Sequence, residues 1–123
     1  MKEYELGKEG EEKARQLLNK MGYYLHSPDW LGKKDGKWTK FEVKRKERFI
    51  SPPFDGHGLD LRQIKSSKEF QDDTGIRTYL MIFEIETENI YGQYLDILEI
   101  GKYFDTQYGS IRIYPLERYD KLN

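Results

Sequence analysis

The chain has 123 residues with a formal net charge of −1, and 35% of its residues are charged. That length suits one domain spanning residues 1–123, and the lack of cysteine excludes disulfides and Cys-ligated zinc or iron–sulfur sites. The opening MKEYELGKEGEEK lacks the apolar run of a secretory signal, and no window approaches the roughly 18 apolar residues of a membrane span, which points to a cytoplasmic, intracellular protein with no membrane partner.

Taken in chain order, the pattern opens with a helix over residues 8–21, where Ala14, Leu17, Leu18 and Met21 share one face and Gly22 stops it. Residues 23–26 read as a strand, residues 30–36 as turn-rich, and residues 37–45 alternate as a strand does. Residues 49–58 hold two prolines and two glycines and are expected to form a loop. A second helix is predicted over residues 60–72, opened by Asp60 and Gln63 in capping-box spacing. Residues 77–85 are apolar on both faces, as a central strand would be, and residues 94–98 and 111–114 are expected as later strands. The order α-β-β-β-α-β implies an α/β fold, a central mixed β-sheet flanked by helices.

Charge is unevenly spread. From residue 33 to 48 eight Lys or Arg stand against three acids, a balance of +5; from residue 84 to 105 six acids stand against one Lys, a balance of −5. Lys33, Lys34, Lys37, Arg45, Lys46 and Arg48 form a candidate phosphate track for DNA. The competing reading is a solvated, charged hairpin.

The chemistry concentrates in residues 28–44, PDWLGKKDGKWTKFEVK. On a strand Phe41 and Val43 point to one face, and Lys40, Glu42 and Lys44 to the other. Asp29 lies 13 residues before Glu42, far enough for a hairpin to return it alongside. Two carboxylates that close repel unless a cation intervenes, and a hard divalent ion, Mg²⁺ or Mn²⁺, suits oxygen ligands. Lys44 beside such an ion could orient and help deprotonate an attacking water. On the first helix Glu11 lies about 70° from the centre of the apolar face and Glu12 nearly opposite, so Glu11 is the third carboxylate able to enter a cleft. Each residue also has a plainer reading: Glu11 as a first-turn acid, Asp29 as a turn residue after Pro28, Glu42 and Lys44 as a solvated strand face.

The combination resembles PD-(D/E)XK nucleases, and within them is most similar to RecU-type Holliday junction resolvases. The likeness rests on Gly7 and Glu11 at the first helix, and on Asp29, Gly32, Gly36, Lys37, Trp38, Phe41, Glu42 and Lys44 in the central motif. Gln63-Ile64 and Gly75-Ile76 complete it. It implies a restriction-endonuclease-like core, with Asp29, Glu42 and the backbone carbonyl of Val43 as metal ligands. It also implies Lys44 as the catalytic lysine, Glu11 as an accessory acid near the metal, and Gln63 facing the active site from its helix; Gln63 as capping partner of Asp60 is the equal alternative. The long insertion those resolvases carry before the catalytic Asp is missing, and Ser27-Pro28 stand where they place threonines.

The expectation is therefore a Mg²⁺-dependent endodeoxyribonuclease resembling a Holliday junction resolvase, a homodimer selective for branched or four-way DNA. A restriction-type, exonuclease or flap activity of a phage or mobile element is the alternative within the class. A non-catalytic DNA-binding module that kept the fold is the alternative outside it. His57, in Gly-His-Gly, is read as polar surface or a phosphate contact, and His26 as a strand-end cap. Tyr91, Tyr94, Tyr103, Tyr108, Tyr114 and Tyr119 are read as core and interface, or as base-stacking groups.

Overall fold

A computed structural model of the chain describes residues 3–4, 6–26, 30–50, 55–107 and 109–123. Helix α1 (Gly7–Lys20) is followed by strands β2 (Tyr24–His26), β3 (Leu31–Lys34) and β4 (Lys37–Lys46), with the short β1 (Glu3–Tyr4) preceding it. Then come β5 (Gly56–Asp60), α2 (Leu61–Thr74), β6 (Arg77–Glu84), β7 (Ile90–Tyr94) and α3 (Leu95–Glu99). Strands β8 (Phe104–Asp105), β9 (Ile111–Pro115) and β10 (Asp120–Lys121) complete the order.

The main sheet runs β10-β7-β6-β4-β3-β2, with β1 also on β4. Its centre is the parallel pair β4 and β6, in register from Thr39↔Arg77 to Lys46↔Glu84, and the other pairings are antiparallel. The sheet is therefore mixed, as expected. A second, three-stranded sheet runs β5-β9-β8.

Period-two alternation sorts the core into two layers. Along β6, Tyr79 and Met81 join Leu18 of α1 and Phe41 of β4 in one cluster, while Leu80 and Ile82 join Leu59, Ile64, Leu95, Leu98 and Tyr114 in the other. Ala14 and Leu18 are fully buried, with Leu17 and Met21 packed at the margin, so the predicted apolar face of α1 is the docked one. Asp60 caps α2 by accepting from the Arg62 amide at 2.7 Å. No hydrogen bond returns from Gln63 to Asp60 among the described residues, so the cap is one-sided.

Three expectations are corrected. Residues 31–34 form β3, and only Asp35 and Gly36, both with positive φ (51° and 77°), make the turn into β4; that is the Asp-Gly pairing a tight hairpin favours. Residues 56–58 are strand, not loop. Gly56 and Gly58 approach the carbonyls of Tyr114 and Arg112 on β9 so closely that a side chain would collide with them. Residues 95–98 belong to α3, in which Leu95 and Leu98 bury one turn apart, and the strand here is β7.

At the end of β6 the structure buries a charged cluster. Glu84 is 2% exposed and accepts from Arg48 Nε and Nη2 at 2.8 and 2.7 Å, from Thr87 Oγ1 at 2.6 Å and from His57 Nε2 at 2.6 Å. Burial pushes the Glu84 carboxyl up, but those donors together outweigh it and hold its pKa at about 2. An ionised Glu84 can only accept, so His57 carries its proton on Nε2. His57 Nδ1 has no hydrogen-bond partner among the described residues. Burial, the larger effect, lowers the His57 pKa against the pull of Glu84. His57 is fully buried and its carbonyl accepts from Tyr119 Oη at 2.8 Å. It is neither polar surface nor a phosphate contact.

Both shifts act in one direction with pH. His57, with its folded pKa depressed, contributes stability above its ordinary value near 6.5 that is lost as pH falls below it. Glu84, lowered from 4.5 to about 2, adds about 3 kcal/mol that is lost as pH falls from 4.5 towards 2. Urea unfolding between pH 7 and pH 3 is expected to show stability declining below about 6.5 and dropping more steeply below 4.5. Glu84→Gln should cost roughly 3–5 kcal/mol at pH 7, because half-buried Arg48 loses its buried counter-charge and keeps only exposed Asp55 at 3.6 Å, and should flatten the lower limb. Wild-type stability in that variant would contradict the role given to the cluster.

Candidate active site

The site is built on β4. Thr39 and Phe41 are buried towards α1 and Val43 packs in the same layer, so Lys40, Glu42 and Lys44 project from the opposite face. This is the division the alternation predicted. Phe41 is fixed by edge-on contacts with Tyr23 and Tyr79, at centroid distances of 4.9 and 5.9 Å. Glu42 is half-buried, its Oε1 3.2 Å from Lys40 Nζ, and Lys44 is half-buried two residues on, about 7 Å along the strand.

Asp29 lies outside the described residues, as do Ser27 and Pro28. The residue that follows Asp29 is described. The carbonyl of Trp30 accepts from the Phe41 amide at 2.7 Å, and Leu31 pairs with Lys40 in register. The chain leaving residue 29 is thereby held against β4 one residue from Glu42. Trp30, Leu31, Lys40, Phe41, Glu42 and Phe70 line an open groove of about 280 Å³ there.

Glu11 is exposed on α1. It precedes Arg15 by one turn, and the Arg15 guanidinium lies 4.8 Å from the Trp30 ring centroid, which puts the Glu11–Arg15 stripe on the side of the helix next to Trp30. Gln63 is half-buried on α2, in the stripe shared by Ser67 and Phe70 at i+4 and i+7. Since Phe70 lines the groove and stacks under Lys40 at 5.4 Å, that stripe runs over the Glu42 face. The hydroxyl of Ser67 is buried there with no partner among the described residues.

The basic stripe divides. Lys33 and Lys37 are exposed, and Lys33 Nζ lies 5.6 Å over the Trp38 ring. Lys34 is exposed but donates to the Met21 carbonyl at 2.7 Å, satisfying the end of α1. Arg45 is exposed and lines a different groove, with Leu6, Glu9 and Lys13 of the α1 end. Lys46 is 4% exposed and donates to the Gly58 carbonyl at 2.6 Å. Arg48 is held in the Glu84 cluster. Lys46 and Arg48 therefore leave the candidate phosphate track, because both charges are committed inside the fold. Among the tyrosines, Tyr91, Tyr114 and Tyr119 are buried, Tyr94 and Tyr103 carry Arg77 and Arg112 over their rings, and Tyr108 lies outside the described residues.

Sequence reading overlooked three members of this site. Lys40 pairs with Glu42 at 3.2 Å, and Trp30 and Phe70 wall the groove. The strand alternation had already placed Lys40 on the Glu42 face; nothing local announces Phe70, which arrives from a helix 28 residues later. Among the described residues no three Asp, Glu or His side chains gather closely enough to cage a metal ion. The donor chemistry nonetheless suits a hard divalent ion: Glu42 offers carboxylate oxygens at the groove, and the remaining candidates, Asp29, Glu11 and the Val43 carbonyl, are all oxygen donors.

No protein-family model matches the chain, and no curated protein matches it by sequence. Among solved structures it is similar to Hjc, a Holliday junction resolvase from the archaeal hyperthermophile Archaeoglobus fulgidus. The TM-score is 0.58 at 15% sequence identity, covering 88% of this chain and 88% of that one. The fold of this chain is the restriction-endonuclease-like α/β fold of Hjc, a mixed central sheet with flanking helices.

Proposed function

We propose that this chain is a metal-dependent endodeoxyribonuclease that cuts branched DNA in the manner of a RecU-like junction resolvase. The observation that carries the reading is the β4 face: Glu42 and Lys44 project from the same side of the strand, and Glu42 lines a groove whose other wall, Trp30, is tied to Phe41 and directly follows Asp29 in sequence. The likeness of the fold to a resolvase supports it.

In this reading Asp29, Glu42 and the Val43 carbonyl hold Mg²⁺ or Mn²⁺, with Glu11 as an accessory acid. The bound ion supplies Lewis acidity at the phosphate and at the leaving oxygen. Lys44 orients the attacking water and, as a positive charge beside it, helps its deprotonation. Lys40 balances Glu42 in the ion's absence and moves to a phosphate when DNA enters. Gln63, from α2, completes the wall over the Glu42 face. Two strands of a symmetric junction are cut most simply by two copies related by a two-fold axis, so a homodimer is expected on DNA.

Lys44 is not a metal ligand in this scheme, and Lys44→Ala should separate binding from cutting. Ca²⁺-supported DNA binding should stay near wild type, while single-turnover cleavage falls by about 10²–10⁴. Excess EDTA should abolish cleavage by the wild type. Wild-type cleavage by Lys44→Ala, or full activity in EDTA, would contradict the mechanism.

The remaining surface cations give a second expectation. Each phosphate neutralised contributes roughly −0.9 to the slope of log affinity against log salt. Reversing Lys33 and Lys37 to Glu should therefore flatten that slope by about 2, with Lys34 left in place because it caps α1. An unchanged slope in fluorescence-anisotropy titrations would place the DNA on another surface.

A further inference from the structure

The alternation that directs Glu42 into its groove continues back along β4 to Trp38. Trp38, Lys40 and Glu42 share one face, and Lys33, the register partner of Trp38, stands on that face with its ammonium 5.6 Å from the indole. Trp38 is 38% exposed at the hairpin end, so its ring is open to a ligand. It borders an open groove of about 710 Å³ whose lining includes Tyr23, Tyr94, Lys34, Lys37 and Arg77.

The charges of this groove are not all committed. Arg77 is spent on Asp96, which it holds in a bidentate pair at 2.7 Å. Lys34 hydrogen-bonds a carbonyl and lies 5.5 Å over the Tyr23 ring, and it has no ion pair among the described residues. Lys37 is exposed, and the acid lining the groove is Asp35 at the turn. That groove opens on the α1 side, with Tyr23 and Tyr94. On the other face, Trp38 stands with Lys33 over its ring and Lys40 two residues on. An aromatic ring among lysines is the kind of surface that holds a single nucleic-acid strand, bases stacked on rings and phosphates on ammonium groups. A paired duplex offers its bases no access to an indole, so this feature discriminates by strand pairing.

We propose that Trp38 is a base-stacking platform for an unpaired DNA strand, and that it selects DNA opened at a branch over plain duplex. The proposal rests on the nuclease reading above for its purpose. Four residues separate Trp38 from Glu42, about 13 Å along the strand, the span of roughly four stacked nucleotides. Lys33 stands beside Trp38, and Lys40, lying over Phe70, stands between Trp38 and Glu42. A nucleotide unpaired at a branch would stack on Trp38 while the phosphodiester about four positions away lies at Glu42.

The test reads binding alone. Fluorescence anisotropy in EDTA, with a labelled 12-nucleotide oligo-dT and a labelled duplex of equal length, is run on wild type, Trp38→Ala and Trp38→Phe. Oligo-dT affinity should fall roughly 5- to 150-fold in Trp38→Ala, the range measured for losing one stacked base, and recover to within about threefold in Trp38→Phe. Duplex affinity should be unchanged in both. Failure of the wild type to bind oligo-dT, an unaltered affinity in Trp38→Ala, or an equal loss for duplex would overturn the proposal. Cleavage is not required for any of these results. A protein that binds through Trp38 yet cuts nothing with Mg²⁺ would refute the nuclease reading and leave the stacking site standing.

Discussion

The parallel pairing of β4 with β6 is the constraint on which the rest of the structure depends. Eight residue pairs hold β4 in register from Thr39 to Lys46, and a slip by one would exchange every side chain between faces. Phe41 would then leave the α1 layer, and Glu42 would be forced among Leu18, Tyr79 and Met81. Burying Phe41 and Val43 thus does two things at once. It stabilises the α1 layer, and it aims Glu42 and Lys44 out of the opposite face. The hydrogen bond from the Phe41 amide to the Trp30 carbonyl extends the same control to Trp30.

Further along β4 the same face serves stability. Lys46 reaches across to the Gly58 carbonyl, and its register partner Glu84 gathers Arg48, Thr87 and His57. These contacts fasten β5, and with it the start of α2, to the end of the central pair. Since α2 brings Phe70 and Gln63 over the Glu42 face, the buried charges at one end help hold the groove at the other. A cluster with Glu84 fully ionised and His57 neutral is compatible with burial only because each remaining donor is satisfied. The one exception is a bare acceptor, His57 Nδ1, which costs less than an unpaired charge would.

What was legible in the sequence followed local periodicity. The apolar faces of α1 and β6, the alternation of β4 and the Asp60 cap all lie within a few residues of the signals that announce them. What was not legible depends on partners distant in the chain. Gly56, His57 and Gly58 read as a loop because glycine disfavours strands; their reason for being there, the approach of β9, lies more than 50 residues on. Lys46 and Arg48 looked like surface cations because their acceptors, the Gly58 carbonyl and Glu84, belong to other strands. Residues 95–98 read as strand because LDILE is rich in branched apolar side chains; burial of Leu95 and Leu98 one turn apart decides for helix. The candidate site shows the same divide. The shared face of Glu42 and Lys44 followed from alternation, whereas the groove walls Trp30 and Phe70 come from segments folded onto β4 from either side.

The central proposal is that DNA is cut at the Glu42 face of β4. The most direct measurement is denaturing-gel analysis of a four-way DNA junction incubated with Mg²⁺ and either wild type or Glu42→Gln. That substitution keeps the size of the side chain and removes its charge. The account predicts discrete cuts near the branch point by the wild type and none above background by Glu42→Gln. An intact junction with the wild type, or equal cutting by both, would contradict it.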